Sequence, residues 1–206
     1  LGALNATKDI PIVFTSVTDA IEAGLVEAMD KPGENITGVV DQHPESIQKT
    51  VEFIDKYFEG AHVGLIYNAG EQNSVAQIEA VKEAAEGLSL TFVERTVANS
   101  SEVQQAATTI VEDVDVIYIV TDNTVVSALD SVVGVSNDHQ IPLVVGEPDS
   151  LAKGGFATYG IDYYTIGYRT GEMAVEILTE GKHPSEIPVE FPPEIQLFIN
   201  KGAAEL

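Results

Sequence analysis

The strongest constraint on this chain is a pattern it repeats: a short apolar run, a polar loop, then an amphipathic helix. Residues 114–129, VDVIYIVTDNTVVSAL, are the clearest copy. Val114, Val116, Ile117, Ile119 and Val120 form a near-continuous β-branched run, as in a parallel strand covered on both faces. Thr121, Asp122 and Asn123 end it, and any of the three could cap the helix begun by Thr124, Val125, Ala128, Leu129 and Val132. A helix start of this kind offers free N–H groups and a partial positive charge to an anion. The order recurs at residues 10–14 (IPIVF, then Thr15, Ser16, Val17, Thr18 and Asp19), at 62–67 (HVGLIY, then NAGEQNS) and at 141–145 (IPLVV, then GEPDS). The alternation predicts an α/β fold with parallel sheets flanked by helices. Open parallel sheets bind ligands at the carboxyl ends of their strands, so four polar loops there predict a cleft.

The residue inventory narrows the chemistry of that cleft. With no cysteine among the 206 residues, thiol nucleophiles, disulfides and thiolate metal sites are excluded. His43, His62, His139 and His183 are scattered without metal-ligand spacing, so neither a metal nor a cofactor is expected. The sequence contains no GxSxG, no GxxxxGK[ST] and no GxGxxG, and Glu112, Asp113 and Asp115 read as a solvated turn before a strand. A formal charge of −23 repels nucleic acid and anionic membranes. No apolar run approaches the roughly 18 residues of a membrane span. What remains is hydroxyls, amides and a few carboxylates, which suits hydrogen-bonded capture of a small polar molecule without turnover rather than catalysis.

Along the chain, Ile21, Leu25, Ala28 and Met29 predict a helix over 19–30 that stops at the turn residues 31–35, KPGEN. Residues 36–40 form a short extended piece, a candidate crossover between lobes. Helices are expected over 44–58, after Ser74, over 100–111 and after Tyr164 up to Gly181, with strands over 90–97 and 154–160 and an edge strand over 195–199. Four of nine prolines fall in residues 182–194, a surface crossover. Asp162 reads two ways: as an ordinary helix-start acid, or as a carboxylate facing a cationic group. IPIVF is a strand of central type that needs neighbours on both sides, which predicts further polypeptide before Leu1.

FTSVTDAIEAGLV, KPGENITGV, VGLIYNAGEQNSVAQIE, VDVIYIVTDNTVVSAL and YGIDYYTIGYRTGEMAVEIL together resemble ABC-transporter substrate-binding proteins of the tryptophan/tyrosine-type group. The resemblance covers nearly the whole chain. It implies a two-lobed, type I-like periplasmic-binding-protein fold with an incomplete N-terminal lobe. Residues 1–38 and 159–185 are expected in the first lobe, and 39–158 with 186–206 in the second. It further implies an extracytoplasmic, monomeric protein, periplasmic or lipoprotein-anchored, that hands an amino acid to a membrane permease. A ligand-sensing domain of a regulator or receptor is the alternative on the same fold.

Carried over residue by residue, the resemblance puts ligand contacts at Ser16, Thr18 and Asp19, at Asn68, Asn73 and Ser74, at Thr121, Asp122 and Asn123, and at Asp162 with Tyr163. The ligand's carboxylate is expected at the helix starts after Ser74 and Asn123, and its ammonium at Asp162, Asp19 or Asp122. Its aromatic or large apolar side chain is expected against Tyr67, Tyr163 or Phe14.

Overall fold

The computed structural model describes residues 1–205. In chain order the elements are α1 (Gly2–Ala6), β1 (Ile12–Val17), β2 (Ile36–Val40), α2 (Ser46–Tyr57), β3 (His62–Asn68), α3 (Gln72–Ala84), β4 (Thr91–Val97), α4 (Val103–Ile110), β5 (Val116–Ile119), α5 (Asn123–Ser127), α6 (Leu129–His139), β6 (Leu143–Val145), α7 (Pro148–Ala152), β7 (Ala157–Gly160), α8 (Tyr163–Thr179), β8 (Gln196–Ile199) and α9 (Lys201–Ala204). The chain divides into two compact units, Leu1–Pro44 with Ile161–Ile195, and Glu45–Gly160 with Gln196–Leu206. It therefore passes from one to the other three times. Among the described residues no helix is long and apolar enough to cross a membrane, and no group of acidic, histidine or cysteine side chains could hold a metal.

The first unit is built on two parallel strands, β1 and β2. Alternation along them supplies two faces. Ile12, Phe14, Ile36 and Val40 join Ala20, Leu25 and Val26 on one side, while Val13 and Val39 meet Ile166, Met173 and Ile177 of α8 on the other. Gly38 permits the pairing, because a Cβ there would lie 2.6 Å from Cγ of Phe14. The register shifts between Thr15 and Val17, and Ser16 between them takes φ +57°.

Two expectations change here. Residues 39–44 and 186–195 fall in the first unit, because β2 pairs with β1 and residues 189–190 run beside β2, and residues 159–160, the end of β7, fall in the second. The amide of Val40 donates to the Glu190 carbonyl and that of Glu190 to the Gly38 carbonyl, while the Thr37 hydroxyl donates to the Ile187 carbonyl at 2.6 Å. Residues 19–30 form turns instead of a helix. Asp19 Oδ1 accepts from the amides of Ile21 and Glu22, the amides of Leu25 and Val26 both reach the Ala20 carbonyl, and Gly24 stands at φ +67° between them. Adjacent Leu25 and Val26 are both buried in one cluster, which one stripe of a helix does not readily allow.

The second unit carries a six-stranded sheet in the order β4-β3-β5-β6-β7-β8, parallel except for β8, which runs antiparallel to β7. Helices α2 and α3 cover one face over Val63, Leu65, Val116, Tyr118 and Val144. Helices α4 to α6 cover the other over Ile66, Ile117, Ile119, Leu143 and Val145. Strands buried on both sides explain the unbroken apolar runs in the sequence. From β3 the chain goes to one neighbour, β4, and then returns to the opposite neighbour, β5. Connections that leave in opposite directions open a crevice at the carboxyl ends of β3 and β5.

Candidate functional site

At that switch point the loop after β3 and the loop after β5 are tied by a polar network. Asp122 has no exposed surface. Its Oδ1 accepts from the Val125 amide and its Oδ2 from the Asn68 amide, both at 2.7 Å, so one carboxylate caps α5 and anchors the end of β3. The Asn68 side chain donates to Thr124 Oγ1 at 2.9 Å and accepts from the Gly70 amide at 2.8 Å. Asn73 Nδ2 donates to the Thr121 carbonyl at 2.9 Å. Buried Gln77 grips the same peptide, donating to the Thr121 carbonyl at 3.0 Å and accepting from the Thr121 amide at 3.1 Å.

Glu71 is the residue around which these loops close. Its Oε1 accepts from the Thr124 amide at 2.9 Å and from Thr124 Oγ1 at 2.5 Å; its Oε2 accepts from the Asn123 amide at 3.0 Å and from Asn123 Nδ2 at 2.8 Å. Partial burial on its own would raise this carboxyl, but the hydrogen bonds from the Thr124 and Asn123 side chains and amides outweigh it and hold the group below the usual glutamate range. Among the described residues no Lys, Arg or His forms an ion pair with Glu71 or Asp122.

The loop after β6 is also internally braced. Buried Glu147 accepts from the Asp149 amide at 2.6 Å and from the Ser150 hydroxyl, capping α7. Gly146 lets this loop approach the end of β5, since a Cβ would lie 2.9 Å from the Thr121 nitrogen.

Several of the sequence's site residues thus serve as framework in this structure. Ser74 has no exposed surface, and its Oγ has no hydrogen-bond partner. Because α3 begins at Gln72, Asn73 and Ser74 lie within its first turn rather than before it. Tyr67 packs against the α2–α3 core and donates its hydroxyl to Glu94 at 3.0 Å, beside the Lys82–Glu94 ion pair at 2.7 Å. A ligand would reach Asp122 or Ser74, which have no exposed surface, only if the loops moved. In this structure the Glu71 carboxylate takes the donors at the start of α5, where the ligand's carboxylate was expected. Of the other expected residues in this unit, Asn123 is exposed, and Tyr67, Asn68, Asn73 and Thr121 are half-buried.

In the first unit the expected residues are freer. Ser16 and Asp19 are exposed and Thr18 is half-buried. Exposed Asp162 caps α8, accepting from the Tyr164 amide at 3.0 Å and from Thr165 Oγ1 at 2.9 Å. Half-buried Tyr163 donates its hydroxyl toward Asp41 at 3.4 Å. Sequence reasoning passed over Glu71, Gln77, Thr124 and Glu147. Glu71 and Glu147 lay within the polar loops it had marked. Gln77 left a fainter signal, an amide one turn after Asn73 on a helix whose neighbouring Ile78 and Val81 are core.

The sequence model of the ABC transporter substrate binding protein family matches residues 2–206. A tyrosine-binding protein of Clostridioides difficile is 42% identical over 201 residues, which are 97% of this chain and 57% of that protein. This chain therefore spans little more than half the length of that relative. The crystal structure of an ABC domain from Streptococcus pneumoniae in complex with L-Trp is 34% identical with a TM-score of 0.90, covering 99% of this chain and 68% of the other. A conserved domain protein of Vibrio cholerae is 39% identical with a TM-score of 0.90, covering 98% and 68%.

Proposed function

Because the chain belongs to the ABC transporter substrate-binding protein family, we propose that it is the solute-capturing part of an importer and that its solute is an aromatic amino acid. The observation that carries this reading is the 42% identity, across 97% of the chain, with a protein described as tyrosine-binding. The structure of an L-Trp complex at 34% identity points to the same ligand class. The chemistry of the strand ends agrees with it. They offer amides and hydroxyls for a zwitterion's two polar ends, with no nucleophile–base pair that would turn a ligand over.

In this reading Asn68, Asn73, Thr121 and Asn123 from the second unit, and Ser16, Thr18, Asp19, Asp162 and Tyr163 from the first, supply the contacts. Asp122, Ser74 and Tyr67 support them from behind. Asp162 is the proposed partner of the ammonium, and Tyr163 the surface for the ligand's ring. The protein would act outside the cytoplasm, as a monomer that delivers its ligand to a membrane permease.

Calorimetry of the protein against tyrosine, tryptophan, phenylalanine, leucine, ribose and a nucleoside tests the class of ligand. Asp162→Asn tests the assignment. Asparagine caps a helix about as well as aspartate, so stability should change by less than about 0.5 kcal/mol. Affinity for the amino acid should fall about tenfold with the lost charge, the factor set by ~1.4 kcal/mol. Preferential binding of the sugar or nucleoside would overturn the ligand class, and unchanged amino-acid affinity in Asp162→Asn would overturn the role of Asp162.

A further inference from the structure

The four donors around Glu71 form a ready receptor for a carboxylate: two backbone amides, a side-chain amide and a hydroxyl, 2.5–3.0 Å from the carboxylate they hold. Each Glu71 oxygen takes two of them, so the bidentate geometry is filled. The residue that fills it is anchored on the other loop, as the N-cap of α3, where the Ser74 and Val75 amides donate to its carbonyl. Glu71 thereby joins the connection after β3 to the connection after β5 at the point where the sheet order reverses.

We propose that Glu71 is a positioning and specificity-determining residue: its carboxylate is a built-in occupant that fixes Asn123 and Thr124 relative to Asn68 and keeps a ligand's carboxylate away from them. This deepens the proposed function and rests on that reading for its effect on affinity. Two consequences separate the clasp from an ordinary structural contact. Held together before a ligand arrives, the two loops lose little freedom on binding, and preorganisation of this kind raises affinity. A ligand carboxylate must also be held by other donors, which leaves the second unit's loops, with Glu71 and Asp122 in no ion pair among the described residues, facing the ligand's uncharged or cationic part.

Removing the clasp should therefore create an anion site where the native protein has none. In Glu71→Ala the donors are emptied, and added acetate should bind them, shifting the backbone amide resonances of Asn123 and Thr124 saturably. In the unsubstituted protein acetate should leave those resonances in place. Tyrosine affinity should fall about tenfold in Glu71→Ala and recover severalfold in acetate, a rescue that a merely structural loss would not show. Should Glu71→Ala fail to fold, Glu71→Gln keeps the shape but places an amide NH2 against one donor pair, and should shift either the Asn123 or the Thr124 amide far more than any amide of α6. An acetate response in the unsubstituted protein, or amides indifferent to both substitution and acetate, overturns the proposal. The amide readout needs no amino-acid ligand, so a protein that binds no amino acid but shows acetate capture only in Glu71→Ala would overturn the proposed function while leaving the occupancy by Glu71 established.

Discussion

The two units treat the polar groups at their strand ends in opposite ways. In the second, Asp122, Glu71 and Gln77 are used up internally: every carboxylate oxygen accepts at least one hydrogen bond, and both polar groups of the Thr121 peptide are held by one amide side chain. In the first, Ser16 and Asp19 stand exposed, and among the described residues the Asp162 carboxylate bonds only to its own helix start. A loop whose donors and acceptors already pair with each other keeps its shape with or without a ligand. One whose groups face water exchanges those contacts for a ligand at small cost. Aspartates at the ends of β5 and β7 therefore do different work, one as a brace and the other as an available charge.

The sharpest way to break this comparison is to remove each aspartate. Asp122→Ala leaves the Asn68 and Val125 amides without their charged acceptor, and should destabilise the protein by about 3 kcal/mol, the lower end for two charge-assisted bonds. Asp162→Ala loses an exposed cap and should cost about 1 kcal/mol. Urea denaturation of both variants measures the difference, and equal losses would erase the distinction between brace and available charge.

Acid offers a second, smaller test. The Glu71 carboxyl titrates below its unfolded value of about 4.3. Its contribution is therefore complete above that value and is lost as the pH falls through the lower folded one. Glu71→Gln should be less stable than the unsubstituted protein near pH 6, with the gap closing as the pH falls below about 4.3. Glu94, lowered first by Lys82, and Asp115, lowered first by the His62 amide, carry the same sign but remain in the variant, so the difference curve isolates Glu71. A gap that widens in acid would contradict the clasp.

The smallest expected effect is at Ser16. Glycine would relieve its left-handed backbone but add freedom to the unfolded chain, so Ser16→Gly should change stability by less than about 0.5 kcal/mol. If ligand affinity drops while stability holds, the exposed loop of the first unit earns its place among the contacts.

How much of this was readable beforehand depended on whether a signal was local. Strands β3, β5 and β6 announced themselves because burial on both faces demands unbroken β-branched runs, and Val116, Ile117 and Ile119 supply one. A cap among Thr121, Asp122 and Asn123 was legible for the same reason, since the helix follows directly; the choice of Asp122 came from the structure. Glu71 was not, because its partners lie 52 and 53 positions away and a glutamate in a polar loop carries no mark of a distant acceptor role. The turns at residues 19–30 were misread as a helix because Ile21, Leu25, Ala28 and Met29 have helical spacing. Their amides are instead taken by Asp19 and the Ala20 carbonyl around left-handed Gly24.

Strand β8 has a consequence for how the chain is made. It closes the edge of β7 through antiparallel pairs from Ala157 with Ile199 to Gly160 with Gln196, yet residues 161–195, which complete the other unit, are synthesised between the two. On a ribosome adding roughly 5–20 residues per second, β7 emerges with its outer hydrogen-bonding groups unpaired and stays so until that whole insertion has followed. During that interval the sheet presents a template to any passing extended segment. Maturation of the larger unit is thus tied to the arrival of its own last strand, and a nascent chain stalled within residues 161–195 is the form most exposed to edge-to-edge aggregation.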